Sequence, residues 1–303
     1  MPTTKLLILL ITASLLLTGC GNAISEAHAA PDVLLPTLEA QPTSTRTSTP
    51  TRTPTIRPRS TATTVPPTPT LAPGLQEVTA GRVSVPVLMY HNISNQGNTA
   101  YITRVSDFRA QMKYLYEAGY QTITVAQVAE AIRSGGVLPE KAVVLTFDDG
   151  YEGVYENAFP IMEEYGFTGT AYIITGTLEK SQSYGYMKPE QLQELAEAGW
   201  EFGSHTINHA NLKTIATGFV DEVKGSKETL EDLIGVDVVT FSYPFAASND
   251  WIAGEVKKYG YESAVGVGTL NTHTHKGLYF LSRREVVRGI SLKAFQALLA
   301  ISG

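Results

Sequence analysis

Two adjacent carboxylates, Asp148 and Asp149, stand in the stretch Thr146-Phe147-Asp148-Asp149-Gly150-Tyr151, directly after the apolar run Ala142-Val143-Val144-Leu145. The run reads as a buried strand, and Gly150 permits a tight turn beyond it. Side chains alternate faces along a strand, so both acids reach one cleft only where the strand ends. Two carboxylates held together repel each other unless a cation lies close by. A second stretch, His205-Thr206-Ile207-Asn208-His209, offers two imidazoles four residues apart, after the strand-like Glu201–Ser204. If that stretch coils, the two rings share a face. Alone, the spacing is a weak signal, equally compatible with two loop histidines. Together, two imidazoles and one carboxylate make a divalent-metal site with positions left open for water and substrate.

The elements that must position these groups follow from periodicity. Val83–Tyr90 reads as a first strand that ends at His91. Ser106 is the expected cap of a helix with Phe108, Met112 and Leu115 on one face, stopped at Gly119. Thr124-Val125-Ala126-Gln127 is a capping-box pattern opening a second helix, ended by Gly135-Gly136. After the acidic pair come a helix near Tyr155–Tyr165, a strand at Gly169–Ile174, and a helix with Pro189 in its first turn. Glu201–Ser204 is a short strand, and an amphipathic helix over Val220–Ile234 precedes a strand at Val238–Tyr243. Ser248 or Asn249 caps a helix to Tyr259. Ser263–Val267 and Tyr279–Val287 are strands, and Ser291 caps a last helix with Leu292, Phe295 and Leu298. Alternation over about 220 residues predicts a parallel α/β fold, either a barrel or a doubly wound sheet. Sites in both lie at the carboxyl ends of strands, where Asp148, His205, Tyr243 and His91 all fall.

The 303-residue chain carries a net charge of −6, unevenly distributed. Residues 1–76 hold five basic and three acidic side chains, so the remainder, 77–303, is at −8. An acidic body lacks the basic face that phosphate neutralisation needs, which argues against a nucleic-acid partner. The single cysteine, Cys20, excludes an intrachain disulfide. Lys5 and the apolar run Leu6–Leu17 suit a signal-peptide core too short to span a bilayer. The following Leu17-Thr18-Gly19-Cys20 resembles a bacterial lipobox, which implies cleavage before Cys20 and a lipid anchor on it. The expected organisation is thus a signal peptide over 1–19, a lipidated cysteine with a linker over 20–80, and a catalytic domain over 81–303. Residues 41–73 are a Thr/Pro/Ser/Arg tract with too few apolar side chains to fold. At about 3.1 Å per residue, its 33 residues reach roughly 100 Å, a tether for work outside the membrane. The expected location is extracytoplasmic and membrane-anchored.

The pairing of Thr146–Tyr151 with His205–His209 resembles the polysaccharide deacetylases, the NodB-like carbohydrate esterase family four. The resemblance covers most of 83–303. Val87-Leu88-Met89-Tyr90-His91-Asn92-Ile93 and Tyr243-Pro244-Phe245 are most similar to the branch with poly-N-acetylglucosamine deacetylases. It implies a distorted (β/α) barrel and an acetylated polysaccharide as substrate. It further implies Asp148 as catalytic base, and Asp149, His205 and His209 as ligands of a divalent metal. Zinc comes first, with cobalt, nickel or manganese as alternatives. The N–H of Phe245, after Tyr243 and Pro244, is implied as an oxyanion donor.

Two positions depart from the family pattern. Ser242 stands where many relatives carry an arginine that pairs with the catalytic acid, so Asp148 is expected to lack that neighbouring charge. Leu281-Ser282-Arg283-Arg284 stands where relatives offer a Leu-x-His whose histidine protonates the leaving amine. His273 and His275 are expected in a solvated loop, with one of them acting as the acid as the alternative. His91 either faces the cleft, binding sugar or assisting proton transfer, or is structural. Trp251 either packs beneath a capped helix or stacks on a sugar. These departures keep a second reading open, a non-catalytic wall-tethered glycan-binding protein; an O-acetyl esterase on xylan-like polymers is a third, within the same chemistry.

Overall fold

The computed structural model describes residues 71–180 and 185–301. Seven parallel strands close into a barrel: β1 (Val87–Tyr90), β2 (Ala142–Phe147), β3 (Thr170–Ile173), β4 (Glu201–Ser204), β5 (Thr240–Ser242), β6 (Ser263–Val267) and β7 (Leu281–Glu285). Neighbours run β1-β7-β6-β5-β4-β3-β2, and β1 pairs back onto β2. Of the two architectures open to the periodicity, the chain adopts the barrel. Helices follow the strands except between β6 and β7, where the strand Thr272–Thr274 and the short turn His275–Gly277 make the crossover. The distortion lies at β2, which also carries the two-residue strand Gln121–Thr122.

Alternation sorts the strand residues into two layers. Val87, Val144, Tyr172, Val265 and Leu281 gather in one cluster, whereas Leu88, Tyr90, Leu145, Phe147, Ile173 and Phe241 join the cluster that packs on the helices. Each of these side chains is buried, a gain of roughly 1.5–3 kcal/mol apiece. Gly203 on β4 is needed because a Cβ there would lie 2.2 Å from Tyr172 Cε1. Asp148 has the parity of Val144 and Thr146, so the same alternation that fills the barrel turns its carboxylate inward at the mouth.

Local signals held where the chemistry is local. Thr124 and Gln127 exchange both capping-box bonds, Pro189 opens its helix, and Asn249 and Ser291 cap theirs. Ser106 is not a cap: the helix opens at Val105 after Arg104, without a side-chain cap. The long first strand is also broken. Arg82–Ser84 pairs antiparallel with Thr272–Thr274, while Val87–Tyr90 enters the barrel. Pro86, which has no N–H to donate, separates them. Folded elements begin ahead of residue 81, since Leu75–Val78 pairs antiparallel with Gly136–Pro139. Cys20 and the Thr/Pro tract to residue 70 lie outside the described residues.

Candidate active site

Loops after β2, β4 and β5 and the ends of β1, β6 and β7 enclose a cleft of about 340 Å³ at the carboxyl mouth of the barrel. Asp148 Nα donates to Tyr90 O at 2.9 Å, which ties the end of β2 to β1. Asp149 then takes φ +76°, and Gly150 follows at +78°. Asp149 Oδ1 lies 3.5 Å from His205 Nε2 and 3.5 Å from His209 Nε2, with the two imidazole rings 4.9 Å apart. The His205–His209 stretch is not a helical turn: Thr206 and His209 are left-handed, at φ +67° and +54°. This turn brings the rings together in place of the i, i+4 face expected of a coil.

Three observations fit this group to a divalent cation. One ligand atom from each of Asp149, His205 and His209 lies within 4.8 Å of the others. Asp149 Oδ1 is buried and has no hydrogen-bond partner, an orphaned acceptor that demands a donor or a cation. His205 donates Nδ1–H to Ser242 O at 2.8 Å, which leaves Nε2 as the lone-pair nitrogen beside Asp149. Burial, then the neighbouring His205, push the His209 imidazole below its usual value, toward the neutral form that binds metal. For His205, burial pulls the same way, but Asp148 and Asp149 outweigh it and its pKa is raised. Cation binding therefore displaces a proton there.

Asp148 is fully paired. Arg283 Nη1 donates to Oδ1 at 2.6 Å and Nη2 to Oδ2 at 2.7 Å, a bidentate fork between two buried groups. The expectation that Asp148 lacks a neighbouring positive charge is corrected: the charge comes from β7 rather than from position 242. Ser242 is part of the same network, accepting from Arg283 Nη2 at 2.9 Å and donating to Asp148 Oδ2 at 3.3 Å. Thr146 Oγ1 and Gly266 O accept the remaining guanidinium N–H groups, and the Tyr172 ring lies 5.4 Å beneath. Burial alone would raise the Asp148 carboxyl, but Arg283, then His205, hold it well below the usual carboxylate range. A signal for Arg283 was present in the strand itself. Leu281, Arg283 and Glu285 share one face by alternation, and a buried arginine there must meet an anion.

The other candidates divide. His91 lines the cleft, its ring tilted on that of Tyr101 at 4.7 Å. Tyr243 is buried, donating its hydroxyl to Tyr279 O at 3.0 Å. Pro244 opens a short turn in which Ala246 N–H bonds Tyr243 O and Ala247 N–H bonds Pro244 O, neither using the Phe245 N–H. Phe245 sits at φ +59°, 67% exposed, its ring 4.6 Å from that of His209. Glu285, which sequence reasoning did not single out, also lines the cleft. His273 is not in a solvated loop: it is buried, with Nε2 3.0 Å from Val85 O, and outside the cleft. His275 opens a short helical turn beyond it. Trp251 is not packed beneath its helix but exposed, its ring 4.9 Å from that of Phe219.

A seven-stranded parallel barrel thus carries paired acids and imidazoles at its mouth, a donor set that suits a divalent cation. Comparison with known proteins gives the family. The polysaccharide deacetylase profile matches residues 135–264. YxkH of Bacillus subtilis, named for that family, is 31% identical over 214 residues, which cover 70% of this chain and 75% of YxkH. The chain belongs to the polysaccharide deacetylase family, whose enzymes are metal-dependent hydrolases. The poly-β-1,6-N-acetyl-D-glucosamine N-deacetylase of Escherichia coli K12 is 29% identical over 219 residues, 58% of this chain but only 32% of that enzyme. Among solved structures, the Streptococcus pyogenes deacetylase PplD in complex with acetate aligns with a TM-score of 0.65 at 25% identity. The alignment covers 72% of this chain and 99% of PplD.

Proposed function

We propose that this protein removes N-acetyl groups from an N-acetylhexosamine polymer (poly-N-acetylglucosamine, peptidoglycan or a chitin-like glycan) at the cell surface. The observation that carries the reading is the juxtaposition of an arginine-paired acid, Asp148, with the Asp149/His205/His209 triad in one cleft. The similarity to a poly-N-acetylglucosamine N-deacetylase and to a deacetylase holding acetate supports it. A divalent ion held by Asp149, His205 and His209, zinc first by its donor set with cobalt, nickel or manganese as alternatives, would supply Lewis acidity toward the acetyl carbonyl and a water of lowered pKa. Asp148, kept ionised by Arg283, takes the proton of the attacking water. The Phe245 N–H donates to the oxyanion as the carbonyl becomes tetrahedral. As the C–N bond breaks and acetate leaves, the proton taken by Asp148 passes to the amine, in a cleft that His91 also lines.

The non-catalytic alternative rests on two departures, the missing arginine and the missing Leu-x-His, and Arg283 removes the first. The test is acetate release across a panel of N-acetylated and O-acetylated glycans, with metal content measured on the same sample. Asp148→Asn should abolish release and leave the metal bound. Release that survives this substitution sinks the assignment of the base. Acetate from esters alone would move the substrate to O-acetyl polymers. The lipobox resemblance extends the proposal to a membrane anchor at Cys20, from which the Thr/Pro tract carries the barrel outward.

A further inference from the structure

Glu222 is a buried carboxylate, 7% exposed, with no basic side chain within salt-bridge distance among the described residues. A buried charge is costly unless hydrogen bonds replace its water. Its three donors come from two consecutive residues. Oε2 accepts from Ile207 N–H and Asn208 N–H, each at 2.9 Å, and Oε1 accepts from Asn208 Nδ2 at 2.7 Å. These residues lie between the two candidate ligands His205 and His209. Left-handed Thr206 makes successive amides converge on one point, a backbone nest that is an anion site by construction. The carboxylate belongs to the first turn after the loop, where Glu222 N–H bonds Gly218 O at 2.9 Å. That turn is fastened to β4 through Ser226 Oγ, which donates to Glu222 O at 2.7 Å and lies 2.6 Å from Ser204 Oγ.

From this geometry we propose that Glu222 is the positioning residue of the metal loop. It holds Ile207 and Asn208 between left-handed Thr206 and His209, so that both imidazoles face Asp149 before any ion arrives. The inference rests on the metal reading above. Hydrogen bonds behind metal ligands are typically worth 10–100-fold in metal affinity. In zinc competition titrations on the purified protein, Glu222→Ala should bind about 10–100-fold more weakly than wild type. Glu222→Gln keeps an oxygen for both backbone amides, and its NH₂ meets the Asn208 side-chain oxygen after an amide flip. It should stay within about threefold of wild type, because all three bonds survive. The cobalt-substituted Ala variant should show an altered d–d spectrum and the Gln variant a native one. Ala equal to wild type, or Gln as weak as Ala, overturns the proposal.

Amide exchange in metal-free protein separates this inference from the metal reading. Ile207 and Asn208 should exchange faster in Glu222→Ala, by about 10-fold or more, because their acceptor is lost. Wild type that binds no zinc, with this exchange difference intact, defeats the metal reading and leaves the clamp. Unchanged exchange defeats the clamp. If Glu222→Ala does not fold, Glu222→Asp replaces it. One methylene shorter, it cannot reach both amides, and equal zinc affinity for Asp and Gln variants overturns the proposal.

Discussion

Replacing Arg283 by methionine tests the chemistry of the mouth most directly. The substitution keeps much of the side-chain volume and removes the fork that grips Asp148 at 2.6 and 2.7 Å. Both groups are buried, at 1% and 3% exposure, so the stranded carboxylate is poorly solvated. Breaking such a pair by deleting one partner typically costs about 3–5 kcal/mol. For a folded unit of this size that is a fall in Tm of roughly 6–20 °C. The pH dependence has a definite sign. In the native protein the Asp148 carboxyl is held low, so its contribution to stability is present above the unfolded carboxylate pKa of about 3.9 and is lost as pH falls through the folded value. Without Arg283, burial, the largest influence on this group, pushes the carboxyl upward. The stability penalty should therefore be larger at pH 7 than at pH 4.5, and the acidic limb of kcat/KM should move up by at least about one unit, equivalent to ~1.4 kcal/mol. Calorimetry at both pH values and a pH–rate profile on acetate release read these out. The double variant Arg283→Met with Asp148→Asn should recover much of the stability with no activity, since neither charge is then unpaired. A fall in Tm below about 2 °C together with an unmoved acidic limb would refute the pairing as the source of the Asp148 shift.

Two further outcomes follow from other parts of the chain. Gly176→Ala would place a Cβ 2.5 Å from Ile207 O on the metal loop; we expect roughly 1–3 kcal/mol of destabilisation by denaturant titration, with weakened zinc binding. Native zinc affinity in that variant would show that the loop yields freely. Cys20→Ser should move the protein from the membrane fraction of expressing cells to the soluble fraction or medium, with specific activity on soluble oligomers unchanged; retention in the membrane would defeat the lipid anchor.

Much of the fold was legible because its signals are local. Buried parallel strands are written as apolar runs such as Ala142–Leu145, and helix starts as capping residues that act within three positions, as at Thr124, Asn249 and Ser291. The meeting of Asp149, His205 and His209 was legible because these residue types are scarce and fall at strand ends. The long-range partners were not. Arg283 meets Asp148 across 135 positions: its inward parity on β7 is written locally, but which anion it meets is not. Glu222 sits only 15 positions from Ile207, yet it reads as one more acid on an amphipathic helix, because its partners are backbone amides. The left-handed residues were equally hidden. Asp149, Thr206, His209, Phe245 and Ala246 are the non-glycine residues with positive φ among those described, and all lie on three cleft loops.

That concentration, and the arginine's unexpected origin, share one explanation in the barrel. Inward positions of different strands converge on the axis, so at the mouth the last inward residue of one strand lies within reach of several others. Asp148 needs a positive charge at a point in space, and either β5 or β7 can deliver it. Here Ser242 on β5 is small and wholly buried, and the guanidinium of Arg283 occupies the space beside it while bonding its hydroxyl. An arginine at 242 would set two guanidinium groups side by side in that space. Side chains reaching in from strands can be exchanged this way, but the atoms supplied by loops cannot. The Phe245 N–H and the two imidazoles depend on backbone held in sparsely populated conformations, each costing about 1–3 kcal/mol and persisting only where surrounding contacts dictate it. For the histidine loop those contacts are visible: Glu222 grips two amides, while Thr175 and Gly176 donate to the carbonyls of Thr206 and Ile207 at 3.1 and 2.8 Å. Substitutions at such anchors should therefore disturb the site more than substitutions at many residues lining it, because the anchors set where the lining residues stand.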